Sequence, residues 1–557
     1  MWWSRCKSKS FGHLSNAVNS ASFVTGCEHQ NGDNTLMEKM PIAKMGRAST
    51  ANLEHSRHPD LLAAIDMGSN SFRLEIGQIS KGRYKRIDYI KETVRLGGGL
   101  DSHGMLTEEA TQRGLACLSS FAQRLKGFAP WQVRAVATQT LREARNRDAF
   151  LQRADRVLGH RIEVIAGREE ARLIYLGVSR LQPSELPRLV IDIGGRSTEM
   201  ILGQGNQPLC KESFGIGSVG LTMQHFPRGA YTAANFRSAQ IAAGAELEEA
   251  LTLFERNQWT EALGSSGTVG AVSQILAANG ITDGTITPDG LRWCIERCIE
   301  AGSAELLNLP GLKPERKAVL AGGLCILYTL ASHFDIEALR PAKGALRQGV
   351  IFDLEERIEA ARNHRLPDPR DTSVRELQQR FRVDTTQAQR VRLRALSLWQ
   401  ELSEPQASAD GEHARELGWA SALHEIGMMV SHHDHHRHSA YLLGHVDASS
   451  FSQSQLRRLA TLVLGQRGEL IKLAEHFQDT VLMSQVLCLR LAIILHHARV
   501  ELPSRIIRLQ RTRGKIKLVL DKRWASQSPR TLHLLEEESR RWAAIEGYRP
   551  MELTLLT

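Results

Sequence analysis

The stretch LLAAIDMGSNSF (residues 61–72) decides the fold that this sequence predicts. Its apolar first half is typical of a buried β-strand, and the polar turn 68–71 leads into a second apolar segment, 72–79. A related stretch, LVIDIGGRST (residues 189–198), occurs later and continues to Leu202 in the same way. The chain therefore contains two units of strand, glycine turn and strand.

The two units match at a single offset of 126 residues. The identical pairs are Asp66/Asp192, Gly68/Gly194, Ser71/Ser197, Gly77/Gly203 and Gln78/Gln204. A repeat of this length predicts two similar α/β halves. Apolar periodicity between the hairpins predicts strands at 133–137 and 162–165 and helices at 108–125 and 169–181, which agrees with an α/β class.

The length of 557 residues predicts three or four domains of about 150 residues each. We expect a disordered tail at 1–58, α/β halves at 59–186 and 187–358, a helical domain at 372–500 and a basic, β-rich domain at 503–557. A charged linker with two prolines, 366–370, separates the second half from the helical domain. No stretch approaches the roughly 18 apolar residues of a membrane span.

The charge balance is basic, with 71 Lys and Arg against 61 Asp and Glu and a net charge of +10. Such an excess favours polyanionic partners, although plain solubility explains it equally well. Eight cysteines are too sparse for a disulfide framework. This usage favours a reducing cytoplasm, and the basic surface leaves peripheral adsorption to anionic membrane open.

Each glycine turn follows an aspartate, Asp66 or Asp192, at the end of a buried strand. Backbone N–H groups of such turns can hold phosphate oxygens, and the aspartates suit Mg²⁺, which prefers oxygen ligands. Two further carboxylates are candidates for chemistry, Glu170 in the first turn of a helix and Glu199 beside the second turn. Compensation of the helix dipole and a solvent-facing strand position are the alternatives, and the residues alone leave the choice open.

Six motifs in this sequence resemble the exopolyphosphatase/guanosine pentaphosphate phosphatase family, in family order over residues 61–550. They are AIDMGSNSF (64–72), ATQTLR (137–142), GREEARLI (167–174), DIGGRSTE (192–199), GSSGT (264–268) and GALR (344–347). The resemblance implies an actin-like/sugar-kinase architecture, which is a ribonuclease H-like fold of two halves around a cleft. It also implies a homodimer.

By this resemblance, Glu170 is the general base and Glu199 a second catalytic carboxylate, while Asp66, Asp192 and Glu199 organise Mg²⁺. The phosphate-binding set predicted from the turns and the resemblance is Gly68, Ser69, Asn70, Ser71, Arg142, Gly194, Gly195, Arg196, Ser197, Thr198, Gly217, Ser265, Gly267 and Arg316. Arg196 replaces a glycine that is usual in the family. Its counterpart Asn70 indicates that a side chain fits there, and Arg196 is expected to add a phosphate contact.

Seven histidines fall between residues 424 and 445, namely His424, His432, His433, His435, His436, His438 and His445. Their density suggests a metal site. The segment resembles the helical HD phosphohydrolase domain, but the diagnostic His-Asp pair is His424-Glu425 here. This change favours an HD-like domain with a structural or polyanion-contacting role over a second metallohydrolase site.

Basic residues are also concentrated near the C-terminus. Arg511, Arg513, Lys515 and Lys517 alternate along the sequence, which predicts that all four lie on one face of a single strand. One interpretation is a charged edge strand that resists aggregation, and the other is a cationic rail for long polyphosphate.

The first functional prediction is a processive exopolyphosphatase that releases terminal orthophosphate from inorganic polyphosphate with Mg²⁺. HRHSAY (436–441) looks closer to the polyphosphatase branch of the family. The alternative is a 5′-phosphatase of guanosine-5′-triphosphate,3′-diphosphate that uses the same residues. An actin-like ATPase or a nucleotide-binding scaffold is more distant, and nucleic acid is not an expected partner.

Overall fold

The computed structural model describes residues 58–363, 368–402, 411–503, 506–512, 515–545 and 551–556. Apart from His58, the predicted disordered tail lies outside the described residues, and so does part of the linker at 366–370. No helix in the described part of the chain is long and apolar enough to cross a membrane.

The first α/β half is built on a five-stranded mixed sheet in the order β3-β2-β1-β4-β5. Its elements are β1 Leu61–Met67, β2 Phe72–Ser80, β3 Arg83–Glu92, α1 Glu108–Arg124, β4 Val133–Ala137, α2 Gln139–Glu143, α3 Arg147–Leu158, β5 Ile162–Val164 and α4 Gly167–Leu181. Strand β1 pairs antiparallel with β2 and parallel with β4. The Thr107 side chain caps α1 by accepting a hydrogen bond from the Ala110 N–H.

The second half has a sheet in the order β10-β9-β6-β7-β8. Its elements are β6 Arg188–Ile193, β7 Thr198–Gln204, β8 Gln207–Phe214, α5 Ser218–His225, α6 Ala233–Leu247, β9 Glu261–Ser265, α7 Gly267–Ala278, α8 Pro288–Ala301, α9 Pro314–His333, β10 Leu339–Pro341 and α10 Leu346–Arg362. Strand β6 pairs antiparallel with β7 and parallel with β9, as β1 does with β2 and β4. The two halves therefore share one topology, which confirms the repeat seen in the sequence.

Helices α4 and α10 pack closely against each other between the two sheets. Gly349 lies so near the Leu173 carbonyl that a Cβ there would overlap it. Their apolar residues share one core with β1 and β4 of the first sheet and β6, β7 and β9 of the second. Helix α10 is the last element of the second half in sequence but contacts both sheets, so it joins the halves.

The helical region predicted at 372–500 is confirmed as α-helical. Its helices are α11 Pro369–Arg380, α12 Thr385–Leu402, α13 Glu412–Leu423, α14 His435–His445, α15 Gln453–Gly465 and α16 Thr480–Leu495. The predicted cap at Asp384 is present, because its Oδ1 accepts a hydrogen bond from the Gln387 N–H at 3.0 Å. The HD-like assignment of this region stays a prediction.

The C-terminal region is mixed and not β-rich. It contains β11 Ile507–Thr512, β12 Lys515–Asp521, α17 Lys522–Gln527, α18 Pro529–Ala543 and β13 Met551–Leu556, with the sheet order β11-β12-β13. Helix α18 packs inward through Trp542, which is fully buried. The prediction of a β-rich domain rested on the basic residues of the strands and did not include the apolar period of α18.

The predicted single strand through Arg511, Arg513, Lys515 and Lys517 is wrong. Strands β11 and β12 are antiparallel neighbours, with Arg511 opposite Ile516 and Thr512 opposite Lys515. Opposite residues of an antiparallel pair share a face, so Arg511 lies on the face of Ile516, while Lys515 and Lys517 lie on the other. Arg513 lies outside the described residues.

Candidate active site

Both glycine turns line a single cleft of about 370 Å³ between the halves. The predicted residues that line it are Asp66, Gly68, Ser69, Asn70, Ser71, Glu170, Asp192, Gly194, Gly195, Ser197, Gly267 and Arg316. The turns face each other closely, since a Cβ added at Gly195 would lie 3.1 Å from the Ser69 Cβ. The repeat thus presents two sets of turn N–H groups to one ligand space.

Glu170 and Asp192 line this cleft, whereas Glu199 is buried close to both and does not line it. Each of the three carboxylates is held by a different neighbour. The Glu170 Oε2 accepts a hydrogen bond from Arg142 Nη1 at 2.8 Å. The Asp192 Oδ2 accepts one from the Ser265 hydroxyl at 2.5 Å. Glu199 is directly opposite Asp192 in the β6–β7 register, and its Oε1 accepts a hydrogen bond from a β8 serine hydroxyl at 2.8 Å.

Close packing brings Glu170 towards Glu199. A Cβ at Gly167, the first residue of α4, would overlap the Ser213 side chain of β8. Ser213 is the serine whose hydroxyl binds Glu199. Glycine at 167 therefore lets the first turn of α4, with Glu170, approach the strand that supports Glu199.

Burial raises the pKa values of all three carboxyl groups, and repulsion from neighbouring carboxylates adds to each shift. Burial raises the pKa of Asp192 to about 7, with a further contribution from Glu170. Burial also raises the pKa of Glu199 well above its usual range, and Glu170 and Asp192 add to the shift. The pKa of Glu170 is raised by burial although Arg142 opposes the shift. Among the described residues this cluster makes one ion pair, between Glu170 and Arg142, so a proton or a cation would stabilise its other carboxylates.

These carboxylates could supply some of the ligands of Mg²⁺, with phosphate oxygens of a bound ligand supplying others. Among the described residues, no set of three His, Cys, Asp or Glu side chains is arranged as a complete metal site. Mg²⁺ usually takes one or two carboxylates together with phosphate oxygens and waters. Asp192 and Glu199, opposite each other beside the phosphate turn, fit that role, whereas Asp66 is paired with Arg73 at 3.1 Å.

Cations that the sequence analysis missed line the same cleft. They are Arg73, Arg86, Lys91, Lys343 and Arg347. Arg347 contacts Asp66 at 3.5 Å and binds Glu75 through Nε at 3.1 Å. The repeat carried a signal for Arg73, because that residue lies 126 positions before Glu199 and is opposite Asp66 as Glu199 is opposite Asp192.

Arg316 is a cation of the cleft that the sequence analysis did predict. It makes no ion pair with any carboxylate among the described residues. Its guanidinium lies against the backbone of Gly267, where a Cβ would overlap it. Burial lowers the pKa of Arg316, and Arg73 lowers it further. Burial and Arg316 likewise lower the pKa of Lys91. These groups repel one another until an anion lies between them, which makes this side of the cleft an anion site.

The expected phosphate contact of Arg196 is not supported. Its guanidinium binds Glu143 at 2.8 Å and lines a separate cavity with Gly217. The Thr198 hydroxyl donates to the Ile216 carbonyl at 2.7 Å, and Ser265 binds Asp192. These residues and Arg142 therefore support the groups that line the cleft, and do not line it themselves.

The histidines at 424–445 do not form a metal site in the described residues. His424 is buried, and its Nδ1 lies 2.7 Å from the Ser421 carbonyl. Burial lowers the pKa of His436 to about 4, with a further contribution from Lys472. His432 and His433 are exposed. Among the described residues the cluster thus contains packed and exposed histidines without a common centre, and its structural or polyanion-contacting role stays a prediction.

The fold and the cleft define a protein of two α/β halves around a cleft, with a helical domain after the second half. The model of the Ppx/GppA phosphatase family matches residues 76–358, and the model of domain III of that family matches residues 370–539. The chain therefore belongs to the Ppx/GppA phosphatase family.

Curated relatives resemble nearly the whole chain. A protein of Pseudoalteromonas atlantica named guanosine-5′-triphosphate,3′-diphosphate pyrophosphatase is 38% identical over 444 residues, which are 79% of this chain and 87% of the relative. A protein of the same name from Vibrio cholerae is 36% identical over 489 residues, 86% of this chain and 96% of the relative.

Solved structures resemble about half of the chain. An exopolyphosphatase of Cytophaga hutchinsonii has a TM-score of 0.48 and 26% identity, and the match covers 53% of this chain and 98% of that protein. The Ppx/GppA enzyme of Aquifex aeolicus has a TM-score of 0.45 and 26% identity, over 52% of this chain and 98% of that protein.

Proposed function

We propose that this protein hydrolyses the terminal 5′-phosphoanhydride of guanosine-5′-triphosphate,3′-diphosphate. Relatives that bear the name of this activity match up to 86% of the chain, including both the cleft and the helical domain. They favour the alternative of the sequence analysis over its first prediction, the exopolyphosphatase. The observation that carries the proposal is that Glu170, Asp192 and both glycine turns line one cleft, with Glu199 buried beside the two carboxylates.

In this proposal the turns bind the 5′-triphosphate and orient its terminal phosphorus toward Glu170. The raised pKa of Glu170 makes it a stronger base than an ordinary carboxylate, so it orients water and accepts its proton. Arg142 fixes the carboxylate through Oε2. Arg316 and Lys91 neutralise phosphate oxygens, which suits a reaction that depends on positioning and electrostatics.

Mg²⁺, held by Asp192 and Glu199, would neutralise charge that develops on the phosphate oxygens. The remaining machinery belongs to the chain itself. Burial of these carboxylates excludes water other than the nucleophile, and Ser265 and Ser213 fix their orientations. Asp66, paired with Arg73 and Arg347, maintains the position of two cations in the cleft.

A phosphate-release assay with three substrates tests the proposal. Wild type and Glu170→Gln are compared on guanosine-5′-triphosphate,3′-diphosphate, on long-chain polyphosphate and on ATP, each with and without Mg²⁺. We expect the highest kcat/KM on the guanosine substrate and its loss in the variant. Hydrolysis of ATP at an equal kcat/KM would contradict the proposal and favour an actin-like ATPase.

Exopolyphosphatase activity at the same residues is a second candidate. The cleft contains six cationic side chains, Arg73, Arg86, Lys91, Arg316, Lys343 and Arg347, which exceed the needs of one terminal phosphate. A higher kcat/KM on polyphosphate than on the guanosine substrate would favour this candidate.

A further inference from the structure

A loop of the helical domain contacts the segment that carries Glu170. This docking loop, residues 446–452, connects α14 to α15. Its last residue, Ser452, forms an antiparallel bridge with Ile165, which lies directly after β5. Both residues are fully buried. The helical domain therefore extends the backbone pairing of the first α/β half at the point where α4 begins.

A second contact holds the loop to the first turn of α4. The Ser450 N–H donates a hydrogen bond to Glu169 Oε2 at 2.6 Å, and the contact is buried. Ser450 has a φ of 68°, in the left-handed region that is costly for a serine. Arg357 of α10 donates to the Ser450 carbonyl at 2.8 Å. The strained residue is thus held by the two helices that join the halves.

The loop is also fixed from its own domain. The Ser373 hydroxyl of α11 donates to the Ser449 carbonyl at 2.5 Å. Ser373 is almost completely buried. The docking loop is therefore held between the helical domain and the base of α4.

The same segment controls the orientation of Glu170. Arg142 Nη1 donates to the Ile165 carbonyl at 3.0 Å and to Glu170 Oε2 at 2.8 Å. One guanidinium thus connects the carboxylate to the residue that pairs with Ser452. The loop contacts Ile165, before the first residue of α4, and Glu169, after it. Glu170 is the next residue of the helix, so the same contacts fix the position of its side chain.

We propose that the docking loop is a positioning element for Glu170, through which the helical domain contributes to turnover without contacting the substrate. The inference rests on the proposed hydrolysis in the cleft. Catalysis by a general base depends on its distance from the attacking water, and a displacement of about 1 Å can cost on the order of 10²-fold in rate. Loss of the loop contact lowers kcat, whereas the phosphate turns and KM are unaffected.

Two substitutions at Ser450 in the full-length protein separate the effect of losing the loop contact with Glu169 from the effect of losing the serine side chain. Ser450→Pro removes the N–H that binds Glu169 and imposes a φ near −65°, which the loop conformation does not accept. Ser450→Gly keeps the N–H and adopts the positive φ without strain, so it is the matched control. For both we measure kcat and KM on guanosine-5′-triphosphate,3′-diphosphate and on polyphosphate, together with hydrogen exchange of amides 167–171.

We expect Ser450→Pro to lower kcat on the order of 10²-fold, with little change in KM and with faster exchange at 167–171. Ser450→Gly retains both wild-type values. A folded Ser450→Pro protein with wild-type kcat would overturn the inference, even if the amides exchange faster. If the wild type released no phosphate from either substrate, the proposed function would be refuted. That result is distinguishable from failure of the docking-loop inference.

Ser373→Ala provides the test if Ser450→Pro does not fold. This change removes one hydrogen bond to the loop and leaves every contact of the cleft in place. We expect a several-fold lower kcat at constant KM and faster exchange at 167–171. Wild-type kcat and wild-type exchange in Ser373→Ala would overturn the inference.

Discussion

Two neighbouring residues of α4, Glu169 and Glu170, are both buried and yet belong to opposite kinds of charge cluster. Glu169 binds Arg172 through both oxygens, at 2.7 and 2.8 Å, and Arg134 lies 3.8 Å away. Asp353 lies between the same arginines and Arg357. Burial alone would raise the pKa of Asp353, but these three arginines lower it. Every carboxylate of this cluster has a cation beside it.

Glu170 faces the cleft, and among the described residues its cluster with Asp192 and Glu199 makes one ion pair, between Glu170 and Arg142. Burial raises the pKa of each of these carboxyl groups, and repulsion from neighbouring carboxylates, Asp66 in the case of Glu170, adds to the shift. Both clusters are buried, so burial does not distinguish them. They differ in the number of cations beside the carboxylates. A deficit of positive charge at buried carboxylates favours binding of a metal ion or a proton.

The largest effect is expected for Glu170→Gln. Removal of the base should lower kcat by about 10²–10⁴-fold, while thermal stability is unchanged or higher because a repelling carboxylate is lost. Kinetics on the guanosine substrate and a thermal unfolding curve measure both. A variant with wild-type kcat would show that Glu170 is not the base.

Glu169→Gln, unlike Glu170→Gln, should destabilise the protein. Its loss leaves Arg134 and Arg172 buried with less compensation, and removal of one partner from a buried ion pair costs about 3–5 kcal/mol of unfolding free energy. Urea unfolding of both glutamine variants tests the comparison. Equal stability of the two variants would break the distinction between the clusters.

Glu416 of α13 is another buried carboxylate with cationic partners, and its contribution to stability should depend on pH. Burial would raise its pKa, but His413 and Arg458 lower it to about 2 from 4.5. A lowered carboxyl pKa contributes stability that is complete above pH 4.5 and is lost as the pH falls towards 2. We expect wild type to exceed Glu416→Gln by on the order of 2 kcal/mol at pH 6, and the difference to shrink towards pH 2. A difference that is constant with pH would contradict this assignment.

The sequence predicts the parts of this molecule that repeat or that alternate in polarity. The offset of 126 residues predicted both sheets and placed Asp66 and Asp192 correctly at corresponding positions. It did not predict Arg86 or Lys343, because cations that enter a cleft from different elements share no spacing. Glu169 and Glu170 are indistinguishable as neighbours in sequence. Arg134 of β4, which lies beside Glu169, and Arg142 of α2, which binds Glu170, separate their roles and are remote in sequence from both.

The basic C-terminus shows why pattern alone failed there. Alternating charges from 511 to 517 are compatible with one strand or with two paired strands, and the alternation alone does not decide between them. Arg196 failed for a similar reason, because Glu143, which binds it, comes from a distant helix of the other half. Partners that are remote in sequence redirect a side chain without leaving a local signal.

The smallest expected effect concerns the cationic side of the cleft and is tested at two glycines of α7. A methyl group at Gly267 would overlap the Arg316 guanidinium, whereas nothing lies within 4 Å of a Cβ at Gly270. Gly267→Ala should therefore displace Arg316 from the phosphate and raise KM about tenfold, because one charged hydrogen bond contributes about 1.5–3 kcal/mol. The kcat should change less, since Glu170 and Asp192 keep their contacts.

Gly270→Ala is the matched control, because alanine stabilises a helix relative to glycine and meets no neighbour there. We expect its KM to equal that of wild type and its melting temperature to be equal or higher. If KM rises equally in both variants, the change reflects the helix and not Arg316. If KM rises only in Gly267→Ala, Arg316 is a substrate contact. In that case the cations on one side of the cleft bind the substrate, and the carboxylates on the other side carry out the chemistry.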